Sequence, residues 1–199
     1  NKVKVNKKKI ISNKIYLINF EYNFKNYKVE NLNNKNLKKT FNFFLNFNKI
    51  EKLYFGYPLF QPIDLKYSIF KKKYNKYLEE KNCWNFFLIT YRNKLIGLSY
   101  IKKIGFLNKK GEKNKSPTLG GPFVLKKFRK KNIGSILVNL CAYQAKLKKC
   151  KFLYARIMSE NIAALTNAKK IGFVKTGRSF KLANNKKDLE LKLKITYNS

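Results

Sequence analysis

The stretch that most constrains this chain runs from Phe123 to Ser135. An apolar run, Phe123-Val124-Leu125, leads into the basic loop Lys126-Lys127-Phe128-Arg129-Lys130-Lys131-Asn132. A helical period then starts: Ile133, Ile136, Leu137, Leu140, Cys141 and Gln144 fall on one face. A helix that opens straight out of a strand–loop leaves its first backbone amides without intrahelical partners. Those amides and the positive end of the helix dipole make a ready site for phosphate. The segment therefore predicts a cradle for a nucleotide-like cofactor.

The rest of the chain predicts the frame around that cradle. With 199 residues it suits one domain with a real core, or one domain plus an extension. Residues 1–13 read as a basic N-terminal extension and 14–199 as a single domain, with no internal repeat and no Pro/Gly-rich linker. Strand-like alternation covers 14–22 and 27–30. Leu37, Phe41, Phe44 and Leu45 recur as the inner face of a helix that Asn33, Asn34 or Asn36 would cap. An aromatic loop (53–62) and a basic helix (64–80) follow. Next comes a hairpin, 84–91 and 95–104, turning at Arg92-Asn93-Lys94. After a charged loop (108–115), the strand at 119–125 carries Gly120-Gly121-Pro122. Proline cannot donate to a ladder, so a bulge or splay is expected there. A strand at 152–157 leads to a helix capped by Ser159 or Asn161, with Ala164, Leu165, Ala168 and Ile171 inward and Gly172 as a left-handed stop. Strands at 174–180 and 188–195 close the chain around a turn at 183–187. The order β-α-α-β-β-β-α-β-α-β-β specifies a mixed α/β sheet.

That order, with Arg129-x-x-Asn132-x-Gly134 between a strand and a helix, resembles the GNAT superfamily of N-acetyltransferases. The family loop is Arg/Gln-x-x-Gly-x-Gly/Ala. Arg129 and Gly134 match it, and Asn132, a residue that tolerates left-handed backbone, stands at the first glycine. Downstream, Asn161-x-x-Ala164 and Lys170-Ile171-Gly172-Phe173 resemble the family's Asn-x-x-Ala-x-x-x-Tyr-x-Lys-x-Gly-Phe helix. The resemblance implies a mostly antiparallel central sheet flanked by helices and a cofactor, acetyl-CoA or another acyl-CoA. It implies that Arg129 belongs to the cofactor site, that amides from about Lys130 to Ser135 (Lys130, Lys131, Asn132, Ile133, Gly134 and Ser135) hold the pyrophosphate, that main chain at Phe123, Val124 and Leu125 aligns the pantetheine, and that Asn161 contacts the pantetheine arm. It further implies direct transfer from the thioester to an amine. The family's general acid is a tyrosine, and its position here is Ala168. Such an acid typically contributes about 10²–10⁴-fold. Tyr143 and Tyr154 are the candidate substitutes, and Glu112 and Glu160 are the acids nearest in sequence to serve as a base.

Charge adds a second expectation. Lysine and arginine number 46 against 10 acids, a formal +36, and histidine is absent. A field of that size favours polyanions, so RNA or a ribonucleoprotein is a predicted partner beside an amine acceptor. Lysine-rich, asparagine-rich composition also follows from A/T-rich codons, which leaves open how much of the charge is functional. Lys71-Lys72-Lys73, Lys109-Lys110, Lys126-Lys127 and Lys148-Lys149 fall in different elements and predict several positive faces. Tyr54, Phe55, Tyr57 and Phe60 could stack on bases, although core packing is the commoner use. Two functions follow: an N-acetyltransferase acting on an amine, on a ribosomal or RNA-associated protein; or a GNAT-derived structural component of an organellar ribosome or similar particle. Three scattered cysteines, Cys83, Cys141 and Cys150, form neither a disulfide framework nor a zinc spacing. They predict a reducing compartment, with a mitochondrial or plastid interior favoured. No apolar run approaches the ~18 residues of a membrane span.

Overall fold

A computed structural model describes residues 27–48, 51, 66–79, 83–102, 117–181 and 186–196. Strand β1 (Tyr27–Asn31) is followed by helices α1 (Leu37–Leu45) and α2 (Tyr67–Glu79) and the hairpin β2 (Cys83–Tyr91) and β3 (Lys94–Lys102). Then come β4 (Thr118–Val124), a single 3₁₀ turn (Lys126–Phe128), α3 (Ile133–Leu147), β5 (Phe152–Met158), α4 (Ile162–Ile171), β6 (Val174–Lys181) and β7 (Lys187–Lys194). This is the element order expected from the sequence. The proposed strand at 14–22, the aromatic loop 53–62 and the loop 108–115 lie outside the described residues.

The seven strands form one sheet in the order β1-β2-β3-β4-β5-β7-β6. Every neighbouring pair is antiparallel except β4 and β5. The hairpin turns through Arg92 and Asn93, both left-handed at φ 45° and 61°, the geometry whose twist matches flanking strands.

Strands β2 and β3 read as continuous apolar runs because helices cover both faces of the sheet. On one face, Ser99 Oγ donates to Leu137 O of α3 at 3.1 Å. A Cβ on neighbouring Gly97 would lie 3.0 Å from Ile133 Cγ2, so α3 packs flush against this strand. On the other face, Phe123 of β4 meets Phe44 of α1 at 5.7 Å between ring centroids. Tyr74 of α2 meets Phe86 of β2 at 6.1 Å. The two crossovers that carry α3 and α4 advance in the same direction across the sheet. Both are right-handed by the usual rule and so share a face, and Ser135 Oγ bridges to Asn167 Oδ1 across the two helices at 3.4 Å.

Asn36 stands at the N-cap of α1 but makes no side-chain cap bond, whereas the expected ends of α4 hold. Asn161 caps α4 through its Oδ1, which accepts from Ala164 N at 3.2 Å, and Gly172 ends the helix at φ 106°. Ala168 is buried, whereas Ala164, Leu165 and Ile171 are half-buried. One inward assignment is corrected: Leu45 is 52% exposed. Thr40 and Phe43 take the buried positions instead, with Leu37, Phe41 and Phe44. The wider buried arc fits α1 lying close over the sheet. In α3, Gln144 is only half-buried, while Val138, Ala142 and Ala145 are buried as well, because the helix is covered on more than one side.

Candidate functional site

The site is created by the point where β4 leaves β5. The two strands pair in parallel only at Thr118–Tyr154 and Leu119–Ala155. Beyond those rungs they part. Just beyond them β4 shifts register on its other edge: between Leu98 and Tyr100 of β3, the partner on β4 jumps from Phe123 to Gly120. One extra residue on β4 is accommodated at Gly121-Pro122, the bulge expected from proline's missing donor. The result is a wedge-shaped gap, bounded by β4 and β5, that opens toward the start of α3.

The main chain on the β4 side of this gap is sorted by its ladder. Leu125 N–H donates to Ile96 O at 3.0 Å, so it faces β3. Alternation along an antiparallel pair then turns the N–H of Val124 into the gap. Of Phe123, Val124 and Leu125, Val124 is thus the residue whose amide is presented to a ligand. Phe123 and Leu125 contribute buried side chains instead.

Beyond β4 the loop folds back tightly. Lys130 and Asn132 are both left-handed, at φ 61° and 59°. Asn132 fits the tolerance expected of it; left-handed Lys130 had no sequence signal. Asn132 makes no side-chain cap bond, and no acid sits in the first turn of α3. The first amides of α3 therefore have neither an intrahelical acceptor nor a side-chain cap. Lys126, Lys127, Lys130 and Lys131 are exposed around them. A Cβ at Gly134 would meet Pro122 Cγ at 3.4 Å, an ordinary contact. Among the described residues nothing requires glycine at 134; a ligand pressed against the first turn would. Uncapped amides, surrounding positive charge and an adjoining split in the sheet fit a diphosphate with an extended arm, as in acetyl-CoA.

The Arg129 side chain is engaged within the chain. Its Nε donates to Val124 O at 3.0 Å, and its guanidinium pairs with Glu51. Glu51 also closes a capping box with Asn48, whose N–H it accepts at 3.1 Å while Asn48 Oδ1 accepts the Glu51 N–H at 2.8 Å. Arg129 therefore braces the loop against the end of β4. Burial alone would raise the Glu51 carboxyl. The Arg129 hydrogen bond, the Asn48 amide and the charges of Arg129 and Lys126 outweigh it and hold the group below its ordinary value.

The remaining candidates separate by position. Asn161 spends its Oδ1 on the cap and keeps its NH2 as a donor. Ser135 joins Asn167, a residue the sequence reading passed over, which ties the first turn of α3 to α4. Tyr143 lies about 15 Å along α3 from the cradle, at 1.5 Å per residue. Tyr154 shares the last rungs before the gap, but its ring packs on Phe152, 6.3 Å away on the side leading away from the opening. Glu160 pairs with Lys186 Nζ at 2.8 Å on the surface, and Glu112 lies outside the described residues. Cys141 is buried against Ser99 Oγ at 3.3 Å, a packing position. Among the described residues there is no cluster of metal-ligating side chains, and no helix is long and apolar enough to cross a membrane.

A split mixed sheet with an uncapped helix N-terminus at the split defines an acyl-CoA-type transferase fold. A family model described as acetyltransferase (GNAT) matches residues 47–173, and the chain belongs to that family. Its fold is similar to the spermidine N-acetyltransferase of Vibrio cholerae, solved with CoA and spermine (17% identity, 86% of this chain and 96% of that one, TM-score 0.65). It is also similar to an N-acetyltransferase from Staphylococcus aureus Mu50 (14%, 86% and 99%, TM-score 0.66). An acetyltransferase of the GNAT family from Streptococcus pneumoniae aligns comparably (17%, 85% and 99%, TM-score 0.63). At these identities the likeness is one of fold. No curated protein matches the sequence.

Proposed function

We propose that this protein transfers an acetyl group from acetyl-CoA to an amine. The observation that carries the reading is the uncapped first turn of α3, entered through two left-handed residues, beside the gap between β4 and β5. Amides of Ile133, Gly134 and Ser135 would take the diphosphate. The Val124 N–H and the Asn161 NH2 would hold the pantetheine arm. When bound, acetyl-CoA supplies an acyl carbon activated by its thioester. The chain's own contribution is to fix that group and exclude water while an amine approaches, which can supply much of the acceleration of such a step.

The acceptor in this reading differs from the spermidine named for the Vibrio cholerae neighbour. Spermidine carries several positive charges, and a chain of formal +36 repels it at long range. The reading therefore takes the acceptor to be an amine on an anionic or RNA-bound molecule, such as a ribosomal or RNA-associated protein. Lys71 and Lys72 on α2, and Lys148 and Lys149 beyond α3, are all exposed. They lie on elements covering opposite faces of the sheet. That distribution favours a second reading, a ribonucleoprotein component in which catalysis is weak, consistent with Ala168 at the family's tyrosine position. The cysteine thiols of Cys141 and Cys150 suit the reducing compartment of either reading, such as an organelle interior.

Acetyl-CoA should raise the melting temperature of the wild-type chain, and Gly134→Glu should remove the shift by filling the cradle. The absence of any shift with wild type would sink cofactor binding. Thiol release with a panel of neutral, cationic and anionic amines, and with RNA-bound proteins, then separates the two readings: turnover supports the enzyme. Salt-reversible sedimentation with RNA particles but no turnover supports the component.

A further inference from the structure

We propose that Tyr100 is the proton donor to the leaving sulfur, in place of the helix tyrosine whose position Ala168 occupies. The inference rests on the acetyl-transfer reading above. Tyr100 stands on β3 directly opposite Gly120 of β4. Gly120 is the first residue of β4 past the last rung shared with β5. A Cβ on Gly120 would lie 2.0 Å from Tyr100 Cζ, 2.1 Å from Cε2 and 2.5 Å from Cε1. The distal end of the ring therefore rests on the bare backbone of β4, while its stem stands on β3. The hydroxyl, one bond beyond Cζ, continues along the same line toward β5, to the mouth of the gap.

The ring is fixed there. It is 3% exposed, and its centroid lies 5.3 Å from that of Phe86 and 6.3 Å from that of Phe123. A phenol so shielded from bulk water makes a stronger hydrogen bond than one at the surface. Tyr143 lies about 15 Å along α3 from the cradle, and the Tyr154 ring packs on Phe152. As the new N–C bond forms and the C–S bond breaks, Tyr100 Oη gives its proton to the sulfur, which keeps the bonding pair. The proton lost by the amine nitrogen returns to the phenolate, directly or through water, and the enzyme regains its starting state. Glycine at 120 is what lets the hydroxyl reach across the strand.

Tyr100→Phe keeps the ring and its packing, so it isolates the hydroxyl. Calorimetric titration with CoA and with desulfo-CoA, which lacks the sulfur, reads the contact without turnover. Wild type should prefer CoA by about 2- to 10-fold, the worth of one hydrogen bond, and Tyr100→Phe should erase that preference while binding desulfo-CoA as wild type does. In turnover, kcat should fall about 10²- to 10³-fold with KM for acetyl-CoA nearly unchanged. A variant that keeps the wild-type preference for CoA and the wild-type kcat overturns the assignment. So does one that loses both ligands equally, which would mark the hydroxyl as structural. If wild type binds neither ligand, it is the acetyl-transfer reading that fails.

Discussion

Replacing Gly120 with alanine tests the packing that carries Tyr100 over β4. The added Cβ would enter at 2.0 to 2.5 Å from three ring carbons. Carbon atoms pack at about 3.5–4.0 Å, so the ring would have to move by roughly 1.5 Å. Phe86 and Phe123 flank it at centroid distances of 5.3 and 6.3 Å, and Phe44 in turn backs Phe123 at 5.7 Å. The ring has two ways out. Held in place, the site is overpacked, at a cost of about 1–3 kcal/mol. Swung out to solvent, the tyrosine gives up most of a burial of about 150–250 Å², or roughly 4–6 kcal/mol at 25 cal/mol per Å² as an upper bound. The cheaper route wins, and a partial shift sits between them, so Gly120→Ala should destabilise by about 2–3 kcal/mol. For a chain of this size that is a fall of about 4–12 °C in melting temperature. Urea unfolding of wild type, Gly120→Ala, Tyr100→Leu and the double variant measures it. Leucine ends short of the Cζ position, so the double variant should cost at least 1 kcal/mol less than the sum of the singles. Gly120→Ala within 0.5 kcal/mol of wild type, or strict additivity, would refute the argument.

Three other perturbations follow from the same structure. Asn132→Val should cost about 1–2 kcal/mol by forcing a β-branched residue into left-handed backbone, whereas Asn132→Gly should be close to neutral and keep the acetyl-CoA shift; equal melts for the two would contradict the φ of 59°. Glu51→Gln should lower stability at neutral pH by no more than about 1 kcal/mol, because Arg129 is 44% exposed. Since the folded carboxyl lies below its ordinary value of 4.5, that contribution is present above 4.5 and fades as pH falls through the folded value. Melts of the two proteins should therefore converge in acid, and a gap that widens there would contradict the assignment. Asn161→Ala should cost about 1 kcal/mol through the lost cap, with Asn161→Asp restoring the stability but not the NH2 donor; acetyl-CoA affinity measured on the aspartate variant tells the two roles apart.

What the sequence made legible is what is local. The caps at Asn161 and Gly172, the left-handed Asn132, the hairpin turn and the bulge at Gly121-Pro122 each follow from a residue's own backbone preference. The apolar period of α3 told which of its faces is buried. Contacts that join distant positions left no such mark. Nothing at Arg129 signals that Glu51 will neutralise it from 78 residues away. Nothing at Gly120 tells a strand-breaking glycine from one kept bare by a ring on the next strand. Leu45 was placed inward by its spacing from Leu37, Phe41 and Phe44, but the buried arc of α1 takes in Thr40 and Phe43 and leaves it exposed. Ala168 was legible as a departure from the family helix, but the group able to compensate for it lies on another strand and surfaces only once β3 and β4 are paired.

The loop between β4 and α3 also shows how one short segment can deal with two kinds of anion by different physics. Its guanidinium is turned inward, onto Val124 O and Glu51. Lys127 and Lys131 straddle the Phe128 ring, with Nζ at 5.3 and 5.5 Å from its centroid. The groups left facing the helix start are backbone amides. Amides bind a diphosphate by directed hydrogen bonds at contact range, and salt screens such contacts less than it screens longer-range charge. The lysine ammonium groups around them act as a diffuse field, which falls off within about 8–10 Å at physiological salt and binds polyanions by counterion release. A cofactor held by the amides should therefore keep most of its affinity as salt rises, while any bound polyanion is released steeply. The charge of the loop and the shape of the loop are thus separable properties, and the shape is the one that defines the cofactor site.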